Sequence, residues 1–200
     1  MANDEKIQKI LSEMRAEDLA IRNTIGISPD WRPRRTIYNV VADAVVASVE
    51  HHSSDRFERR LFFRRTSERA YRSVGSPPPD IHYDDLVTSS TQPTIYYTVR
   101  RVTKSQPSGE FGGDWQSVDR FDLEKQTQNT IIARGGMQLP EQYAHGWVSS
   151  LHGVGTGDSV IYCSCGFQGP EKGKVHYWLC SVTPHAQAVT LLSRLEAVWF

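Results

Sequence analysis

GDSVIYCSCGFQGPEKGKVHYWLCSVTPHAQAVTLLSRL, residues 157–195, is the stretch from which the fold is read. Two runs of β-branched and aromatic residues, Val160–Phe167 and Val175–Val182, flank a turn segment holding Gly169, Pro170 and Gly173. A third run, Val189–Leu192, follows Thr183-Pro184. Short apolar runs separated by Gly and Pro are the mark of antiparallel strands joined by turns, so the stretch predicts a three-stranded meander.

The same phrase occurs upstream. Val45-Val46-Ala47-Ser48-Val49, Ile95-Tyr96-Tyr97-Thr98-Val99 and Ile161-Tyr162-Cys163-Ser164-Cys165 share an order of apolar, apolar, variable, hydroxyl, apolar. Each is followed by a second run at Leu61-Phe62-Phe63, Arg120-Phe121-Asp122-Leu123 or Tyr177-Trp178-Leu179. A third run comes at Tyr71–Val74, Thr130–Ala133 or Val189–Leu192. In the later two copies a further strand precedes the phrase, Ile81–Val87 and Gly146–Val154; in the first, Thr36–Val41 is the one segment left for that role. Four short strands recurring at this spacing form a unit that cannot bury both of its faces alone and must stack on neighbours. The segment Val118–Thr127 resembles the third strand of propeller repeats, where a polar turn follows an apolar-Asp-Leu run. The expectation is a mainly β chain of about three propeller-blade-like meanders near 36–75, 81–134 and 146–195, within a single β-rich domain spanning 36–200. A β-sandwich or barrel and an α+β fold are the alternatives, because Ala42–Val49 is apolar nearly throughout and also reads as helix. Closed propellers need four or more blades, so a ring requires a three-plus-three homodimer.

Ahead of the strands, Ile7, Ile10, Leu11, Met14, Ile21 and Ile25 fall largely on one face of a 3.6-residue period, predicting an amphipathic helix within residues 1–28. Asn3 is placed to cap it, and Gly26 to end it. Residues 29–35, with Pro29 and Pro33 among arginines, read as a linker because proline lacks the donor that regular structure needs.

The 200 residues carry 23 basic and 23 acidic side chains, so no global field draws the chain to nucleic acid or membrane. Three cysteines are too few for a disulfide framework, and no apolar run has the length of a membrane span. With no signal-like stretch after Met1, the chain is expected to be cytoplasmic, with no membrane association. The local skew is sharper: ten arginines and no lysine lie between Trp31 and Arg72, interleaved with Phe57, Phe62, Phe63 and Tyr71. Guanidinium forks suit phosphate and carboxylate, so Arg64 and Arg65, with Arg100 and Arg101 of the second unit, are candidate ligand-binding residues. His51, His52, His82, Asp84 and His145 join them, since turn histidines and carboxylates bind ligands and move protons. Blades stacked in register would bring His82 and His145 to one rim.

The remaining motifs read as structure. Gly153-Val154-Gly155-Thr156-Gly157 lacks the following helix that a phosphate loop uses, and predicts a turn between strands. Cys163 and Cys165, two apart on a strand, share a face near Cys180; a soft-metal site would need a ligand such as His176 or His185, and free cysteine is usually core, so no metal or cofactor is expected. Without a coherent catalytic constellation, the function expected is a non-enzymatic protein-interaction module, an adaptor or immunity-type inhibitor. The alternative is a binding protein or enzyme acting on an anionic ligand, RNA or acidic saccharide, through the arginines.

Overall fold

The computed structural model describes residues 19, 21–23, 25, 30–52, 57–104, 111–169, 174–184 and 186–195. They form twelve strands in three antiparallel sheets. The first sheet is β1 (Trp31–Asn39), β2 (Ala44–His52), β3 (Phe57–Arg65) and the two-residue β4 (Arg72–Ser73). The second is β5 (Ile81–Thr88), β6 (Thr94–Lys104), β7 (Phe111–Asp122) and β8 (Thr127–Ala133). The third is β9 (His145–Val154), β10 (Ile161–Gln168), β11 (Val175–Thr183) and β12 (Ala188–Leu195). Strands follow chain order in every sheet, so each is a plain up-and-down meander, and the recurring phrase is the second strand of all three. Among the described residues no helix is long and apolar enough to cross a membrane.

The sheets stack face to face like propeller blades, and the middle one is buried on both sides. Tyr83, Leu86, Ile95, Tyr97 and Phe121 face Val46, Leu61 and Phe63 of the first sheet. Tyr96, Trp115, Val118 and Ile132 face Ile161, Cys163, Cys165 and Phe167 of the third. This is why β6 reads Ile-Tyr-Tyr-Thr-Val without alternation: neighbouring tyrosines enter opposite cores, each at most 2% exposed. The first strands gather at the inner edge, where β5 touches both β1 and β9.

One sequence expectation changes and one alternative falls away. The segment taken as a linker, 29–35, is strand from Trp31 onward, so the first sheet starts upstream of residue 36 and is four-stranded like the others. Pro33 is tolerated because β1 is an edge strand paired only with β2, and its register shifts between Pro33 and Arg35. Ala42–Val49 is turn and strand rather than helix, since its apolar residues are buried on both faces of β2. The helix expected over residues 1–28 lies mostly outside the described residues; Leu19, Ile21, Arg22, Asn23 and Ile25 are helical. Of these, Ile21 and Ile25 pack on Ala47, Val49, Trp31, Phe62 and Tyr71, covering the first sheet's outer face.

Adjacent sheets are also stapled at one end by buried polar groups. Asn39, closing β1, points its amide nitrogen at Thr88 Oγ1 (2.8 Å) and at the carbonyls of Ser89, Gln92 and Thr94, around the β5–β6 turn. The glycine-rich segment is a 3-10 turn, Thr156–Asp158, and it delivers Asp158 to the far side of the same turn. There Asp158 accepts hydrogen bonds from Ser89 (2.5 Å), Thr94 (3.0 Å) and Tyr96 (2.8 Å). Burial, reinforced by that carboxylate, pushes the Tyr96 hydroxyl up to about 12. Asn39→Ala is expected to cost about 1–3 kcal/mol, because the buried carbonyls of Ser89 and Thr94 each lose a donor; a urea midpoint unchanged from the parent would show that the staple contributes nothing.

Candidate functional site

The densest cluster of predicted site residues lies at the inner edge, organised by a β-bulge in β5. The register against β6 slips between Asp84 and Leu86, with Asp85 as the extra residue at φ 31°. The slip puts Tyr83 and Leu86 into one core and leaves Asp84 where side chains from the neighbouring β6 and from the first sheet converge. Arg34 of β1 lies 2.5 Å from its carboxylate, Arg59 of β3 2.7 Å and Arg100 of β6 3.6 Å. Glu50 takes a second bond from Arg59 at 3.1 Å. Burial pushes the Asp84 carboxyl up, but Arg59 and Arg34 outweigh it and hold it below the usual carboxylate range. Asp85, raised by burial and then by Asp84, goes the other way.

His82 sits one pleat along β5, 2% exposed, with Phe57 edge-on at 5.2 Å. Desolvation drops its pKa to about 4; Asp84 pulls upward, while Arg59, Arg100 and Arg34 add to the fall. It is therefore a neutral core residue at pH 7, which corrects its expected place on an accessible rim. Gly113 of β7 packs against it: a side-chain carbon there would come within 3.2 Å of the imidazole and 3.0 Å of Arg100, so a larger residue would press both side chains aside by a few tenths of an ångström.

Beyond Gly113, a cleft of about 840 Å³ opens between the second and third sheets. Arg100 and the exposed His145 both line it, so the structure unites these two predicted residues. Arg100 is already engaged, donating to the carbonyls of Ser149 (2.7 Å) and Val148 (3.3 Å) on β9 and tying β6 to it. The cleft's other guanidinium, Arg134, is paired with Asp114. Two indoles line the cleft: Trp115 is 3% exposed, and Trp147 is half-buried against Gly166.

The other predicted residues lie apart. Arg64 caps the turn after β3, bonding the Glu68 carbonyl at 3.2 Å and lying 5.4 Å over the Tyr71 ring. Arg65 is exposed next to it, Arg101 pairs with Asp80 at 3.3 Å, and His51 stacks beside Trp31 at 5.6 Å. The side chain of His52 lies outside the described residues, as do Asp55 and His185. Arg60 and Arg72 have Glu58 and Glu68 as partners. Four arginines of this segment, Arg34, Arg59, Arg60 and Arg72, are thus engaged by acids, two of them close in sequence and Asp84 from the second sheet. Cys163, Cys165 and Cys180 are free thiols, 0% exposed, in the core between sheets two and three. Among the described residues no group of three or more His, Cys, Asp and Glu side chains is placed to hold a metal ion.

The surface that sequence reading missed is the outer face of the third sheet. Strand alternation sends Ile161, Cys163 and Cys165 inward and Tyr162, Ser164 and Gly166 outward. Paired across the sheet at the level of Gly166 are Trp147, Tyr177 and Leu195. The Trp147 indole lies flat over Gly166, where a side-chain carbon would come within 2.4 Å of the ring, and meets Tyr177 edge-on at 6.4 Å. Tyr162 is 42% exposed, Val175 39%, Tyr177 37% and Leu195 37%. The alternation was legible, but which face would lack a neighbour was not.

No family model matches the sequence, and no curated protein matches it. Among solved structures, a Hadza microbial sialidase superposes with a TM-score of 0.50 at 9% identity, covering 84% of this chain and 38% of its own. The likeness is one of fold. It agrees with the blade-like reading of three four-stranded antiparallel meanders. The GH74 xyloglucanase of Xanthomonas campestris (TM-score 0.48, 9% identity) covers 80% of this chain and 21% of its own. Dipeptidyl peptidase 4 of Porphyromonas gingivalis (0.48, 6%) covers 82% and 26%. The chain thus spans well under half the length of the structures it matches.

Proposed function

We propose that the chain is a non-enzymatic protein-interaction module that docks its partner on the outer face of the third sheet. The observation that carries this reading is the contrast between the two ends of the stack. The first sheet's outer face is sealed by Ile21 and Ile25, whereas the third sheet's outer face keeps aromatic and aliphatic side chains exposed, with nothing over them among the described residues. Five of the exposed large hydrophobics, Tyr162, Val175, Tyr177, Leu192 and Leu195, are on this sheet, interspersed with Ser164 and Ser181, and a face that gathers exposed apolar side chains is a candidate interaction site.

The test places a photo-reactive amino acid at position 162 or 177 of the full chain, with position 38 as the control. Tyr38 is equally exposed, at 47%, but lies on the first sheet. Covalent adducts with a polypeptide are expected from the two third-sheet positions and not from the control. Adduct yields no higher than the control's would overturn the proposal.

The alternative, an acidic ligand held by arginines, has one supporting observation. Arg134 and Asp114 at the cleft are about half exposed, with side-chain values of 57% and 49%, so a ligand carboxylate could exchange with Asp114. It predicts binding of an acidic saccharide that weakens steeply with salt and is lost in Arg134→Ala; binding that is flat across salt would remove it.

A further inference from the structure

We infer that the partner on this face is a second copy of the same chain, docked third sheet to third sheet about a two-fold axis. The inference rests on the docking reading above and names its occupant.

Three observations point to a second copy. The first is which faces are free. A head-to-tail assembly, including a three-plus-three ring, must set the third sheet of one copy on the first sheet of the next. That first-sheet face is taken: Ala47 and Val49 are 0% exposed, and Ile21 over them is 2% exposed. A repeat array sealed by its own cap at one end and open at the other has one sticky face per molecule. Pairing such faces is isologous and closes at two copies.

The second is charge. The positions in outward register on β9, β10, β11 and β12 hold no Asp, Glu, Lys or Arg. The levels of the sheet run from Trp147, Tyr177 and Leu195 to Ser150, Ser164 and Leu179. An isologous contact near its axis sets each residue close to its own copy, so any charge there would meet its like. A face whose ionisable nitrogens are the imidazoles of His145 and His152, the latter bonded to Ser164 at 2.6 Å, carries no fixed charge, so it is compatible with itself and offers no carboxylate, ammonium or guanidinium to a charged partner. The third sheet does carry a charge on its inward register, where Arg194 pairs with His176 at 2.9 Å.

The third is size. Four strands about 4.8 Å apart and about eight residues long present a face of roughly 500 Å² in projection. A stable interface takes about 600–1,000 Å² of accessible surface from each partner. The whole corrugated face, from Tyr162 to Leu195, therefore has to be engaged. Trp147, flat on Gly166, and Tyr177, edge-on to it, form its aromatic centre, the composition that dominates interface energetics.

The experiment is sedimentation equilibrium of the full chain from about 1 to about 100 µM, with Tyr162→Arg/Tyr177→Arg and Tyr38→Arg as variants. A monomer–dimer equilibrium is expected, weakened at least about 100-fold in the double variant because each substitution counts twice about a two-fold, and unchanged in Tyr38→Arg. A wild-type chain that stays monomeric throughout overturns the inference, as does a dimer that the double variant leaves intact. Thermal melts check that the variants fold. If the double variant does not, Tyr162→Arg alone replaces it, and the photo-adduct mass decides: twice the chain mass supports a second copy. An adduct of any other mass, including one with another polypeptide or an internal link to the chain's own residues 196–200, overturns this inference. Adducts to a different polypeptide leave the docking reading standing, whereas no adduct sinks both.

Discussion

Asp84→Ala is expected to lower the stability of the protein by about 3 kcal/mol, the largest effect of any single side-chain removal argued from this structure. The carboxylate is 14% exposed and is the common partner of Arg34, Arg59 and Arg100. Removing it leaves the Arg59 and Arg100 guanidiniums, 17% and 14% exposed, without their shared carboxylate, with Glu50 and the neighbouring Asp85 left to offset them. Uncompensated charge in a desolvated place costs far more than the lost pair itself contributes. Arg34→Ala is the contrasting control. Arg34 is 41% exposed, so solvent screens its pairing and its loss is expected to cost under about 1 kcal/mol. Urea denaturation at pH 7 reads both. A loss below about 1 kcal/mol for Asp84→Ala would mean that the cluster behaves as solvated surface pairs and does not fasten the first sheet to the second.

Acid is expected to destabilise the fold through His82. In the folded chain this histidine stays neutral down to about pH 4, whereas an unfolded histidine takes up a proton near 6.5. Between those values the unfolded state holds the extra proton, so stability falls as pH falls through that window and is unaffected above it. At about 1.4 kcal/mol per pH unit, the loss by pH 4 is about 3 kcal/mol. His82→Gln keeps a polar side chain of similar size without the titration. Its stability difference between pH 7 and pH 4 is expected to be smaller than the parent's by roughly 2–3 kcal/mol. Equal pH dependence in the two proteins would show that His82 takes its proton in the folded state as readily as in the unfolded one. Asp84 works against the effect, because its charge favours imidazolium; with Asp84→Asn the loss of stability from His82 should therefore continue to lower pH at the same slope.

The repeated strand phrases, the turn-forming glycine segment and the inward cysteines were legible because each depends on local rules: strand alternation, turn residues and the burial of small apolar side chains. The edge strand β1 was misread for an equally local reason. Pro33 argues against a strand unless one of its sides is known to lack a partner, and only the sheet order supplies that. The arginine-rich segment misled in the opposite sense. Its excess positive charge is a property of the sequence window, but Arg34 and Arg59 meet Asp84 some 50 and 25 residues away, so part of that excess is offset once the sheets stack. Asp84 itself could not be placed, because a bulge leaves no periodic trace in Ile81–Thr88 beyond an interrupted alternation.

Sequence alone determined that the chain is built of repeated four-stranded meanders, since strand period and turn chemistry act over a few residues and are written wherever those residues occur. Which faces of the meanders are used was decided by tertiary structure. An outward Tyr162 and an inward Cys163 are equally apolar in the sequence, and burial depends on whether another sheet or helix arrives over them. Ile21 and Ile25 arrive over the first sheet, the second sheet is covered on both sides, and among the described residues nothing arrives over the third.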